Sequence, residues 1–120
     1  MAELRVDGDV LTLALSRVER LEGFSGDLRT PLASVTAVRA TDNPWSELRG
    51  IRAPGTGIPG VIAVGTRRGS FGRDFAVVHG KGPGVVVELA DGSYGRWVLT
   101  VDDPDAVVAS VPVAGTPTQD

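Results

Sequence analysis

No cysteine occurs in the 120 residues, and that absence removes disulfides, thiolate metal sites and thiol catalysis together. Histidine occurs once, as His79, so a metal centre built on it would need carboxylates for the rest of its ligands. Lysine also occurs once, as Lys81, against eleven arginines, the bias a GC-rich genome produces. Aromatic residues make up 5% of the chain, too few for a base-stacking platform, and with a net charge of −3 this argues against a nucleic-acid partner. No apolar run approaches the roughly 18–20 residues of a membrane span. The opening MAELRVDGDV has no apolar stretch of the secretory kind, so the expectation is a cytoplasmic protein.

Glycine and proline are plentiful, and they concentrate. Asn43–Arg73 holds seven of the sixteen glycines, three of the eight prolines, five of the arginines and one of the two tryptophans, Trp45. Glycine supplies positive φ and proline fixes φ near −65°, so this segment reads as a shaped arm and not a mere link. Charge concentrates there too. From Arg49 to Lys81 the net charge is +5, and the remainder of the chain carries −8. Such asymmetry marks a surface able to face anions or to pair with the acids elsewhere.

Taken in order, Glu3–Val6 and Val10–Leu15 flank Asp7-Gly8-Asp9, a hairpin signal. Ser16–Glu22 predicts a short helix, with Ser16 as N-cap, Glu19 as its capping-box partner, Val18 and Leu21 on one stripe, and Gly23 as the stop. Asp27–Thr30, Val35–Thr41, Val61–Thr66, Arg73–His79, Val85–Ala90 and Arg96–Val101 read as strands, with Pro31–Ser34 as a tight sheet corner. Arg67–Ser70 reads as a turn, and Arg52–Gly60 as a long connection. Asp103 as cap, Pro104 at the first helical position and Val107, Val108 and Val111 as an apolar stripe predict a C-terminal helix stopped by Pro112. The spacing therefore predicts one mainly β domain over residues 1–112, about seven strands in a bent antiparallel barrel capped by that helix, with a disordered tail over 113–120.

This order, with PLASV at the corner and DDPDAVVASV after the last strand, resembles the bacterial pleckstrin-homology-like (PH-like) domains over residues 3–111. The stretch PWSELRGIRAPGTGIPGVIAVGTRR is similar to a subgroup of small proteins of that kind, a signature without assigned chemistry. The resemblance implies a bent antiparallel barrel closed by a C-terminal helix, and symmetric oligomers. The phosphoinositide binding of eukaryotic relatives does not carry over, because their basic signature is not matched.

Gly55-Thr56-Gly57-Ile58-Pro59-Gly60 satisfies G-x-G-x-x-G, but a dinucleotide site needs a helix after it, and here a strand follows. No nucleophile motif accompanies His79, so the expectation is a non-enzymatic chain with no cofactor and no metal. Two functional readings remain. The first is an interaction or assembly module, a homo-oligomer or a partner of another protein. In it an unguarded strand around Val86 faces outward, and Trp45 or the Gly/Pro arm forms a second patch. The alternative is a small anionic-ligand barrel, or a lipid- or anion-binding surface, using Arg49, Arg52, Arg67, Arg68 and Arg73. Against that alternative, the same arginines can pair internally with Asp42, Glu47 or Asp74.

Overall fold

The computed structural model describes residues 2–23, 26–58, 60–90 and 94–113. Two sheets are present. The first holds β1 (Glu3–Asp7), β2 (Val10–Ala14) and β3 (Leu28–Pro31) in the order β1-β2-β3. Its first hairpin closes as Asp7 pairs with Val10, and Gly8 takes the positive φ of 64° that the tight turn demands. Between β2 and β3 stands α1 (Arg17–Gly23), and its capping box forms as expected: Glu19 N–H donates to Ser16 Oγ at 3.2 Å and Ser16 N–H to Glu19 Oε1 at 2.8 Å.

The second sheet has six strands: β4 (Val35–Thr41), β5 (Ile51–Ile58), β6 (Ile62–Gly69), β7 (Gly72–His79), β8 (Gly84–Leu89) and β9 (Arg96–Thr100). A 3₁₀ turn at Leu32–Ser34 makes the corner between β3 and β4. A second, Pro44–Glu47, precedes β5. The closing helix α2 (Pro104–Ser110) is capped by Asp103, which accepts from Ala106 N–H, and it packs on β4 and β8.

Strand order here is β4-β8-β9-β7-β6-β5. The chain is thus mainly β, as the alternation predicts, but it is not an all-antiparallel barrel of about seven strands. There are nine strands in two sheets, and no closed barrel exists among the described residues. The reason lies after β7. Instead of pairing back on β7, the chain lays β8 against β4, and β9 then fills the gap, running parallel to β7. Spacing along the sequence favours sequential pairing, which holds in only about two-thirds of cases. The Gly/Pro arm is also a strand and not a long connection. β5 pairs antiparallel with β6, with its register shifted between Arg52 and Gly55, where Pro54 removes a ladder donor. The segment predicted as a disordered tail lies largely outside the described residues.

Alternation divides the second sheet between two apolar layers. Ile62, Val64, Phe75, Val77, Val85, Val87, Trp97 and Leu99 face the first sheet, together with Leu11, Leu13 and Val35, and form the main core. Their neighbours Ala63, Ala76, Val78, Val86 and Val98 face the other way and form a smaller buried cluster, covered by Trp45 and Leu48. Gly84 lets that cover close, since a Cβ there would collide with the Leu99 carbonyl and the Pro44 ring. Inside the main core the Trp97 indole N–H finds no acceptor among the described residues, at a cost of about 1–3 kcal/mol.

Candidate interaction surfaces

Among the described residues, the arginines singled out by sequence are split between two faces of the sheet and do not form one cluster. Because Arg67 and Arg68 lie in β6 and not in a turn, period-two alternation sends them to opposite faces. Arg67 shares the outer face with Ala63, and its cross-strand partner is Asp74. Arg68 shares the core-side face with Val64, and its cross-strand partner is Arg73, whose guanidinium lies 4.9 Å from the centroid of the Tyr94 ring. Arg52 pairs with Arg67 through the backbone register, and its side chain lies outside the described residues.

On the outer face the internal-pairing reading has geometric support. Arg49 grips Asp74 with two bonds, Nε to Oδ2 and Nη2 to Oδ1, both 2.7 Å. Asp74 is 2% exposed while Arg49 is 36% exposed, and the same guanidinium stacks 4.1 Å over the Phe71 ring. These bonds to the Asp74 carboxylate, opposed by partial burial, hold Arg49 above the ordinary arginine pKa. Arg67 donates to the backbone carbonyls of Arg49 (3.0 Å) and Gly50 (2.9 Å), fixing the entry to β5. Gly50 is required at that entry. It has φ 71°, and a Cβ would strike the Arg68 carbonyl and the Phe71 ring.

Beside this pair runs a second network that the sequence did not flag. Glu47 accepts from Arg39 at 2.8 and 3.1 Å and from the Thr41 hydroxyl at 3.1 Å. Arg96 donates to Glu88 at 3.2 and 3.4 Å and to the Glu47 carbonyl at 3.1 Å. The Arg39 bonds, with burial opposing, hold the Glu47 carboxyl below its usual range. Glu88 and Arg96 are direct cross-strand partners, so a known β8–β9 register would have revealed that pair. Arg39 and Glu47 join strand to turn, a contact no spacing rule exposes.

Trp45 and Val86, expected at an interface, meet each other's layer instead. Val86 does point away from Val85 and Val87, but it is 0% exposed, under the chain's own Trp45 and Leu48. Nor is β8 an edge, since it lies between β4 and β9. The expectation that Val86 awaits another subunit is therefore corrected: the turn at Pro44–Glu47 already covers it. Trp45 is half-buried, and its Nε1–H donates to the Gly80 carbonyl at 2.7 Å. Its outer side borders a cleft of about 380 Å³, lined also by Asp42, Asn43, Gly60, Lys81 and Gly82.

His79 also has a partner that the sequence concealed. Its Nε2 lies 2.8 Å from Glu19 Oε2, which also accepts from Ala2 N–H at 3.1 Å. Glu19 is 2% exposed and belongs to the buried side of α1. Burial alone would raise its pKa, but the bonds from Ser16 N–H, His79 and the Ser16 hydroxyl outweigh it and leave the carboxyl below its usual range. The predicted stripe on α1 faces outward: Val18 is 61% and Leu21 73% exposed. Ile58, 54% exposed, pairs with Ile62 and so lies on the sheet face against which α1 packs, with exposed Val61 in the adjoining turn. Among the described residues no group of three or more potential metal ligands gathers, and no helix is long and apolar enough to cross a membrane.

Among the described residues four strands have a free side: β1 and β3 in the small sheet, β4 and β5 in the large one. β1 is charged at alternate positions (Glu3, Arg5, Asp7), β3 is four residues long and ends in Pro31, and β5 carries Pro54 and its register shift. Each of these devices blunts an edge. β4 has seven residues with no proline or lysine, and its register shift falls at its start, between Val35 and Ala37. Comparison with protein-family models, with curated proteins and with solved structures finds no match to this chain.

Proposed function

We propose that this chain is a non-catalytic interaction and assembly module of PH-like architecture, acting through contacts with a second protein surface. The observation that carries the reading is the open edge of β4, whose described backbone hydrogen bonds go to β8 alone. Beyond the register shift at its Val35 end, the strand runs from Ala37 to Thr41 with no proline or lysine, and such an edge is a template for pairing. What supports the PH-like reading is the sheet corner at Leu32–Ser34 and the closing helix on β4 and β8. The parallel β7–β9 pair is this chain's departure from that plan.

On this reading the arginines are structural. Arg49 is held by a buried carboxylate and Arg67 by backbone carbonyls, while Arg68 and Arg73 share the opposite face of the sheet. Light scattering on the purified chain up to hundreds of micromolar tests the proposal, with a thermal-shift series in phosphate and citrate alongside. The expected result is a discrete species above the 12.5 kDa monomer and no ligand-specific shift. A chain that stays monomeric throughout would refute the assembly reading. A salt-sensitive stabilisation by phosphate would move the function to the arginines.

A further inference from the structure

Three loops meet at one end of the large sheet, and between them lies the cleft beside Trp45. Its lining of Asp42, Asn43, Trp45, Gly60, Lys81 and Gly82 comes from the segment after β4, the turn before β6 and the loop between β7 and β8. The strand ladders bring those loops together. Thr41 pairs with Gly84, Ile62 pairs with His79, and Gly80 N–H donates to the Val61 carbonyl at 2.7 Å. A volume of about 380 Å³ falls at the small end of the roughly 300–1,000 Å³ range of small-molecule sites.

The lining is chemically mixed. Trp45 is fixed before any ligand arrives, because its Nε1–H bonds to the Gly80 carbonyl and the ring covers the outer apolar cluster. An indole held in this way offers apolar area at little entropic cost. Around it Asp42 supplies an acceptor, Lys81 a donor and Asn43 an amide that does both. Neither the Asp42 nor the Lys81 side chain bonds to another of the described residues. This composition selects the ligand. A simple anion would meet the Asp42 carboxylate, and a simple cation the Lys81 ammonium. Both groups are exposed, so water and salt screen them and a zwitterion gains little from ion pairing. A neutral hydroxylated ring meets no such conflict. Its apolar C–H face suits the indole, and its hydroxyls can bond to the carboxylate, the ammonium and the amide. Independently of the assembly reading, we infer that the Trp45 cleft binds a sugar ring, either free or as one unit of a glycan.

The two tryptophans give two indole N–H signals in ¹⁵N-labelled protein, and Trp97, 1% exposed in the core, is the internal reference. A ring of about twelve non-hydrogen atoms at modest ligand efficiency binds with Kd near ~1 mM, so titrations run to about 50 mM. Glucose, galactose, mannose and N-acetylglucosamine are titrated, with acetate and glycine betaine as charged controls. Disaccharides of glucose and N-acetylglucosamine separate a free sugar from a glycan unit. The expected result is a saturable shift of the Trp45 signal with at least one sugar, a still Trp97 signal, and no response to either control. Asp42→Ala and Lys81→Ala should each weaken that sugar about five- to tenfold at an unchanged melting temperature. A tighter disaccharide assigns the site to a glycan, and equal affinity assigns it to the free ring. A Trp45 signal unmoved by every sugar would overturn the inference. So would acetate binding that strengthens in Asp42→Ala, or betaine binding that strengthens in Lys81→Ala.

Discussion

Arg49→Ala is the substitution that most sharply separates a structural arginine from a ligand-binding one. It would leave the Asp74 carboxylate, 2% exposed, without its two 2.7 Å bonds. Removing one partner of a fully buried pair costs roughly 3–5 kcal/mol, mostly the penalty of the stranded charge. Arg49 is 36% exposed, so water screens part of that interaction, and the expected loss is about 2–3 kcal/mol. The stacking on Phe71 contributes about 0.5–1 kcal/mol of it. Urea denaturation followed by tryptophan fluorescence reads the change as a lower midpoint at constant slope. In the Asp74→Asn background the charge is already gone, so Arg49→Ala should there cost only about 1 kcal/mol. A single-mutant loss below about 0.5 kcal/mol, or a cost unchanged by Asp74→Asn, would refute the reasoning and return Arg49 to the pool of ligand-binding candidates.

Val86→Lys should fail to fold or lose more than about 3 kcal/mol by thermal melting, because the charge would lie beneath Trp45 and Leu48 and not at a subunit contact. Trp45→Ala should cost about 2–3 kcal/mol in urea, less than a full core tryptophan, since the ring is half-buried with one bond to Gly80. Leu21→Gln should change stability by less than about 0.5 kcal/mol, as its side chain is 73% exposed. Glu19→Gln should destabilise at neutral pH. Because the folded-state pKa of Glu19 lies below its ordinary 4.5, that stabilisation is complete above about 4.5 and lost as pH falls through the folded value. The wild-type advantage should thus shrink on acidification, and an advantage that grew would contradict the hydrogen-bonding scheme.

Local signals in the sequence are legible where a single short segment determines the outcome. The Asp7–Val10 hairpin, the Ser16–Glu19 capping box, the corner at Leu32–Ser34 and the Asp103 cap each depend on residues a few positions apart. The six-strand order was not legible, because inserting β9 between β8 and β7 depends on burying Val98 and Trp97 in opposite layers at once. The burial of Val86 was hidden for the same reason. Alternation correctly sent it to the far side from Val85, but a strand pattern cannot say that the far side has its own cover. Likewise α1 offered a tidy apolar stripe at Val18 and Leu21, and the helix instead buries Glu19 because His79 and Ala2 satisfy its carboxylate. A turn at Arg67–Ser70 would let the arginines gather, but Arg67 and Arg68 lie in β6. In a strand, neighbours in sequence are opposite in space.

Amide hydrogen exchange of β4, residue by residue and at several protein concentrations, tests the assembly claim most directly. In a lone chain, alternate amides of β4 bond to β8 and are protected, while those between them face solvent and exchange fast at every concentration. The account predicts that the outward set between Ala37 and Thr41 slows as concentration rises, together with the appearance of the larger species. Outward amides that exchange fast and independently of concentration, while an oligomer is present, would contradict it.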